Sequence, residues 1–220
     1  MIGDERIDSY IHSLESYMPD YLYKIEQSAI KEHVPIIKKP TQSLLRFLMY
    51  NNQPKNILEV GTAVGFSSLL MSESMPKDCH ITTIERNEDR IKKAKENISA
   101  ANRTDRITLL EGDATDILIE LVKSGKRYDL IFMDAAKGQY INFFDNVMSL
   151  LEVGGLLVSD NVLQDGDVIE SRYGVTRRNR TIHARMREYL YTLTHKDELQ
   201  TIVLPIGDGV TLSTKVDVLR

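Results

Sequence analysis

Cysteine is nearly missing from this 220-residue sequence; Cys79 stands alone. No disulfide framework can form within the chain, and such usage fits a reducing cytosol. The opening residues, MIGDERIDSY, are acidic and lack the apolar stretch of a signal peptide. No run of about 18 apolar residues occurs, so nothing is expected to span a membrane, and the expected location is cytoplasmic. Positive charge is not in excess either. Lys and Arg number 28 against 32 Asp and Glu, a formal net charge of -4. That balance argues against a generally basic coat for nucleic acid, while a local basic patch stays open. Repeats, low-complexity linkers and a convincing domain boundary are also lacking. What is there, 27% charged and 42% apolar residues, matches a soluble globular protein long enough for one large domain with a substantial core. The expected organisation is a single domain, with N-terminal helices over 1–52 and a core over 53–220.

The first 50 residues read as helical. Ile7, Tyr10, Ile11, Leu14 and Met18 fall at helical spacing and define one apolar stripe, with Pro19 at or just past its end. A second helix is expected around Tyr21 to Lys31. HVPIIKKP reads as a connector in which Pro35 and Pro40 block regular helix. TQSLLRFLMYNN reads as a third helix capped by Thr41. From residue 56 short apolar runs (NILEVG, HITTIE, RITLLEGD, DLIFMD, GLLVSDN) alternate with helical stretches, the last of them YINFFDNVMSLLEVG. Such alternation implies an α/β fold, a parallel sheet with helices on both faces. TIVLPIG, Asp208, Gly209 and VTLSTK then read as a hairpin that closes the sheet with two antiparallel strands.

Each of the five runs carries an acid at or near its end: Glu59, Glu85, Asp113, Asp134 and Asp160. Ligands of open α/β sheets bind beyond the carboxyl ends of the strands, so these acids are expected to share one crevice. A single acid there is more simply a cap for the following helix. In the first turn, EVGTAVGFSS, Gly61 and Gly65 allow close approach of a ligand to the backbone, and the next helix offers its N-terminus to an anionic group. The spacing differs from the G-x-G-x-x-G of dinucleotide enzymes and alone fits a plain tight turn. Glu85, about 20 residues further on, stands where an acid can bind ribose hydroxyls, and the pair points to a nucleoside-containing cofactor. Asp134, Asp160 and Asn161 offer only oxygen ligands, which suit magnesium or calcium, whereas zinc would call for His or Cys nearby. The same Asp160 and Asn161 could merely shape a turn. Lys137 could be a solvated surface lysine; beside a divalent cation it could serve as a base.

Taken together, ILEVGTAVGFSS, TIERN, GDA, FMDAAKGQY, SDNV and PIGDGV resemble the cation-dependent O-methyltransferases that use S-adenosylmethionine, over about residues 33 to 215. The HVPI, IERNE, DAAKGQYINFF and PIGDG segments are most similar to the branch acting on 5-hydroxyuridine in bacterial tRNA. The resemblance implies a Rossmann-like class I methyltransferase fold with a seven-stranded, mostly parallel sheet. It implies that Glu59, Gly61, Gly65 and Ser67 line the methionyl end of S-adenosylmethionine, with Ile37 covering it. Glu85 would hold the ribose, and Asp113 with Ala114 would flank the adenine. Asp134, Asp160 and Asn161 would bind Mg2+, with Asp134 also near the cofactor amine, and Lys137 would be the general base. A homodimer is implied as well. Catechol enzymes of the family carry a glutamate just after the last D-G pair, where this chain has Thr211.

RYGVTRRNRTIHARMR, residues 172–187, holds Arg172, Arg177, Arg178, Arg180, Arg185 and Arg187 with no acid among them. Arginine clusters bind phosphates bidentately, and Arg177, Arg178 and Arg180 are the expected contacts to an RNA backbone, the target base lying in the anticodon loop of a tRNA. The bland alternative is a solvated helix face, or arginines that reach acids elsewhere. The expected activity is thus Mg2+-dependent methylation of 5-hydroxyuridine at the wobble position to 5-methoxyuridine. The alternatives are a small-molecule O-methyltransferase acting on a catechol or a caffeoyl-CoA-like ester, and a non-catalytic nucleotide-binding module.

Overall fold

Residues 56 to 159 alternate between buried β-forming runs and amphipathic helices, and in the computed structural model of the chain they wind into a doubly covered parallel sheet. The structure describes residues 5–14, 18–171 and 173–218. Three helices come first: α1 (Glu5–Ser13), α2 (Asp20–Lys31) and α3 (Lys39–Asn52). The alternating part follows as β1 (Asn56–Val60), α4 (Phe66–Ser74), β2 (His80–Glu85), α5 (Glu88–Ala100), β3 (Ile107–Glu111), α6 (Ala114–Lys123), β4 (Tyr128–Met133), α7 (Tyr140–Leu150) and β5 (Leu151–Ser159). Helix α8 (Arg180–His195) then leads into β6 (Leu199–Leu204) and β7 (Val210–Lys215).

The seven strands lie in the order β3-β2-β1-β4-β5-β7-β6. The first five are parallel, and β7 pairs antiparallel with both β5 and β6. Both faces of the central strands are covered, as their nearly continuous apolar runs require. Alternate residues of β4 separate the two cores: Ile131 and Met133 pack with α6, α7 and α8, while Leu130 and Phe132 pack with α2, α3 and α4. The strand order reverses between β1 and β4, and the chain ends that open there frame the crevice.

Several local expectations are corrected. Thr41 is not a cap: α3 begins two residues earlier, Lys38 occupies the cap position, and Pro40 sits in the first turn, where its missing N–H costs nothing. The Thr41 hydroxyl is buried and points toward Asp160 Oδ1 at 3.5 Å, the outer limit of a hydrogen bond. Helix α7 ends at Leu150, and Leu151–Ser159 is strand. Leu151 already pairs with Tyr128, and Gly154 adopts a positive φ of 84°. Pro19 caps α2 instead of closing α1, which ends at Ser13; residues 15–17 and Arg172 fall outside the described residues. Of the apolar stripe over the first helix, Tyr10, Ile11 and Leu14 are exposed, while Met18 packs against the second core; the side chain of Ile7 falls outside the description.

The connector between α2 and α3 is held from below. Buried Glu26 accepts from Lys39 Nζ at 2.7 Å and Gln42 Nε2 at 2.8 Å, and Gln42 Nε2 also donates to the carbonyl of Ile37 at 3.0 Å. This fixes Ile37, which packs with the second core. Glu26→Ala removes the acceptor shared by buried Gln42 and half-buried Lys39 and is expected to lower unfolding free energy by about 1 kcal/mol, read from urea denaturation.

Candidate active site

A cleft of about 630 Å³ opens beyond the carboxyl ends of β1 to β4. Backbone meets backbone at its floor. Asp134 N–H donates to the carbonyl of Val60 at 3.0 Å, and Gly61, at φ 110°, lies so close to Asp134 that a Cβ would overlap the Asp134 carbonyl oxygen. Only glycine fits on both counts, conformation and space. Of the residues expected to hold the cofactor, Ile37, Gly61, Ser67, Glu85, Asp113, Ala114 and Asp134 stand in the cleft wall.

Glu59 and Gly65 do not. Glu59 is fully buried beneath the cleft floor. Its carboxylate accepts from Ser67 Oγ at 2.5 Å, from Ser68 Oγ, and from Thr83 Oγ1 at 2.6 Å; since Thr83 spends its one proton there, Thr62 Oγ1 donates to Thr83 at 2.5 Å. Burial raises the Glu59 pKa above the usual carboxylate range, while the serine and threonine hydroxyls oppose that rise. Glu59 thus anchors the start of α4 from inside. Gly65, at φ 82°, occupies the cap position of α4, and a Cβ there would meet Ala94 of α5 at 3.6 Å.

The remaining acids are held in different ways. Glu85 collects three backbone N–H groups at 2.9 Å, from Ala63, Arg86 and Asn87. Asp113 caps α6 through Thr115 N at 2.9 Å and pairs with Arg86 at 3.1 Å; these bonds, the Thr115 N–H foremost, hold its pKa below the usual value. Asp134 receives one side-chain hydrogen bond, from Asn161 Nδ2 at 3.0 Å. Burial, followed by the charge of Glu59, pushes its pKa up to about 6. Asp160 accepts from the N–H of Asn161 at 2.8 Å, and burial together with Asp134 pushes its pKa up to about 7. Asp160 is buried and does not itself reach the cleft wall, whereas Asn161, at φ 61°, does.

Lys137 opens a 3₁₀ turn, Lys137–Gln139, and lines the same end of the cleft. Sequence reasoning missed Asp208. It lines the cleft, raises the pKa of both Asp134 and Asp160, and pairs with Lys38 beside Ile37. The signal was present in PIGDG, where an acid sits between two glycines at a hairpin turn. Arg86 and Arg90 in the cleft wall were missed too, because they lie on the α5 side of the second turn, with no pattern to mark them. Arg177 and Arg178 are exposed and outside the cleft. Arg180 lies over the Tyr173 ring at 5.8 Å.

This arrangement coincides with a known family. A model of the O-methyltransferase family matches residues 12–216, and the chain belongs to that family. It is 36% identical over 169 residues to a catechol O-methyltransferase of Niastella koreensis, covering 76% of each chain. It is 31% identical over 175 residues to caffeoyl-CoA O-methyltransferase 1 of Eucalyptus globulus, covering 78% of this chain and 71% of the other. The O-methyltransferase TomG of Streptomyces achromogenes, solved with S-adenosylmethionine, superposes with a TM-score of 0.84 at 26% identity, covering 99% of this chain and all of that one. The fold is that of the Rossmann-like O-methyltransferases, and the chain is an S-adenosylmethionine-dependent O-methyltransferase. No helix among the described residues is long and apolar enough to cross a membrane.

Two expectations follow. Gly61→Ala forces a side chain into the Asp134 carbonyl, so binding of S-adenosylhomocysteine, measured by calorimetry, falls by about tenfold or more. Asp134 and Asp160 have raised folded-state values, so their contribution to stability is full below the unfolded carboxyl pKa of about 4 and is lost as pH climbs through about 6 to 7. In a chelating buffer, the melting temperature of the wild type is therefore expected to drop more between about pH 5 and about pH 8 than that of Asp160→Asn.

Proposed function

We propose that the chain methylates one of two neighbouring oxygens of its acceptor, with Asp134, Asp160 and Asn161 as ligands for a divalent cation and Lys137 as general base. The observation that carries this reading is the under-partnered pair of buried acids, Asp134 and Asp160, both held above the usual carboxylate range by burial and by neighbouring carboxylates (Glu59 and Asp208 for Asp134, Asp134 and Asp208 for Asp160), at the end of the cleft where Lys137 stands. Among the described residues no cluster of three or more His, Cys, Asp or Glu has metal-binding geometry. Two carboxylates and an amide oxygen are nonetheless a fitting donor set for Mg2+, which keeps several waters or substrate oxygens in its shell. Such an ion, when bound, acts as a Lewis acid that lowers the pKa of a ligated hydroxyl. Asn161 has its amide nitrogen on Asp134, and its amide oxygen would be the atom offered to a cation. Lys137 takes the acceptor's proton, and the cleft holds the oxygen in line with the methyl group, where proximity supplies much of the rate. Toward S-adenosylmethionine, Gly61 gives close approach, Ile37 covers, Glu85 takes the ribose hydroxyls, and Asp113 with Ala114 borders the adenine.

Two acceptors present such an oxygen pair. Relatives above 30% identity carry the names catechol and caffeoyl-CoA O-methyltransferase, which gives a small catechol-like acceptor the stronger support. A second reading, 5-hydroxyuridine at the wobble position of a tRNA anticodon loop, is favoured by this chain's own surface. Exposed Arg177 and Arg178 lie beside Arg180 and the 85%-exposed ring of Tyr173, a cationic and aromatic edge of the kind single-stranded RNA binds. That edge stands close to the base, because Arg185 of α8 donates to the carbonyl of Gly138 at 2.9 Å. A cytoplasmic homodimer is part of the same proposal, with the exposed Tyr10 and Ile11 of α1 and Leu14 just past it suited to a second copy.

The test offers purified enzyme, S-adenosylmethionine and Mg2+ either a catechol or tRNA containing 5-hydroxyuridine. Asp134→Ala and Asp160→Ala are expected to abolish turnover on whichever acceptor is used, and Lys137→Ala to lower kcat by about 10² or more. Full activity of both aspartate variants in metal-free buffer sinks the scheme. Replacing Arg177, Arg178 and Arg180 by Ala separates the acceptors: tRNA methylation falls by about tenfold and its salt dependence flattens, while catechol turnover stays within about twofold.

A further inference from the structure

Tyr140 is fully buried, and the chemistry above makes no use of it. It is the first residue of α7 and follows the Lys137–Gln139 turn directly. Its ring packs edge-on against Tyr189 of α8, with centroids 5.4 Å apart at 82°. Packing alone would be served by phenylalanine; a buried hydroxyl costs stability unless it finds partners. This one finds two. It lies 3.1 Å from the carbonyl oxygen of Met133 and 3.0 Å from that of Asp160. Met133 ends β4 and immediately precedes Asp134; Asp160 immediately follows β5. The two strand ends are already joined by the N–H of Asp160, which donates to Met133 at 3.0 Å. The single phenolic proton is therefore shared across the notch between the two strands that carry the acids. Tyr189 makes an instructive contrast. Its hydroxyl is equally buried but bonds only Ser159 Oγ at 2.6 Å on β5, with Met133 Sδ at 3.9 Å as a weak second contact.

We infer that Tyr140 is a positioning residue that sets the spacing of Asp134 and Asp160 and thereby the affinity of the site for a divalent cation. The inference rests on the metal reading above. It assigns to the helix after the Lys137 turn a part in building the site from behind, through backbone carbonyls, without touching any ligand.

The test measures Mg2+ binding to metal-free protein by calorimetry, with Mg2+-dependent activity alongside. Tyr140→Phe is expected to weaken Mg2+ binding by about tenfold, the usual effect of losing a group that orients metal ligands. The Mg2+ concentration for half-maximal activity rises in parallel, kcat at saturating Mg2+ stays within about threefold, and the KM for S-adenosylmethionine is unchanged. Tyr189→Phe, matched in burial, shifts Mg2+ binding less. A Tyr140→Phe protein that melts earlier yet binds Mg2+ like wild type shows a merely structural hydroxyl and overturns the inference alone. A wild type that binds no Mg2+ overturns the metal reading, and the inference with it. Should Tyr140→Phe fail to fold, Tyr140→Met, which fills irregular space without a hydroxyl, carries the same expectation.

Discussion

The contact between Gly61 and the Asp134 carbonyl is the constraint on which the site depends. Strands β1 and β4 are neighbours at the point where strand order reverses, and their ends come so close that no side chain fits between them. The first turn then passes directly over the end of β4. That single approach puts the glycine turn, Asp134 and the Lys137 turn on one cleft, although they are about 75 residues apart in the chain.

The five strand-end acids look alike in sequence and are physically unlike. Glu59 is satisfied by hydroxyls beneath the floor, Glu85 by three backbone N–H groups, and Asp113 by a helix end and an arginine. These three are architecture: each fixes the turn that follows its strand. Asp134 and Asp160 are different. They are buried with few donors and with Asp208 as a further negative neighbour, and their raised pKa values record that imbalance. A pair of acids left so poorly compensated marks a candidate functional site.

The arginine segment divides in the same way. Arg185 and Arg187 are spent on the chain itself, donating to the carbonyls of Gly138 and Val168. Arg180 lies against Tyr173, and Arg177 and Arg178 face solvent. Six like charges in a run therefore do not make six ligand contacts. Part of the run pins α8 to the Lys137 turn, which ties the exposed arginines mechanically to that turn. Tyr140 and Tyr189 continue that link inward to the ends of β4 and β5.

Much of this was legible in the residues because it is set by local periodicity. Buried runs and amphipathic stretches gave the parallel sheet, the antiparallel closing pair and the acids at the strand ends. Boundaries were misread where tertiary contact outweighs local preference. Leu151 leaves the helical pattern because it pairs with Tyr128, and Thr41 turns inward to Asp160 although its type and place suit a cap. Which acids face the cleft was legible only in part: Glu85, Asp113 and Asp134 line it as expected. Asp208 joins Asp134 and Asp160 from a hairpin about 50 residues downstream, and Glu59 is withdrawn below the floor by serines of the next helix. The chain by itself determined which residues end each strand. The tertiary structure decided which of them keep an unsatisfied charge, because desolvation and hydrogen bonding depend on neighbours that only the folded sheet brings within reach.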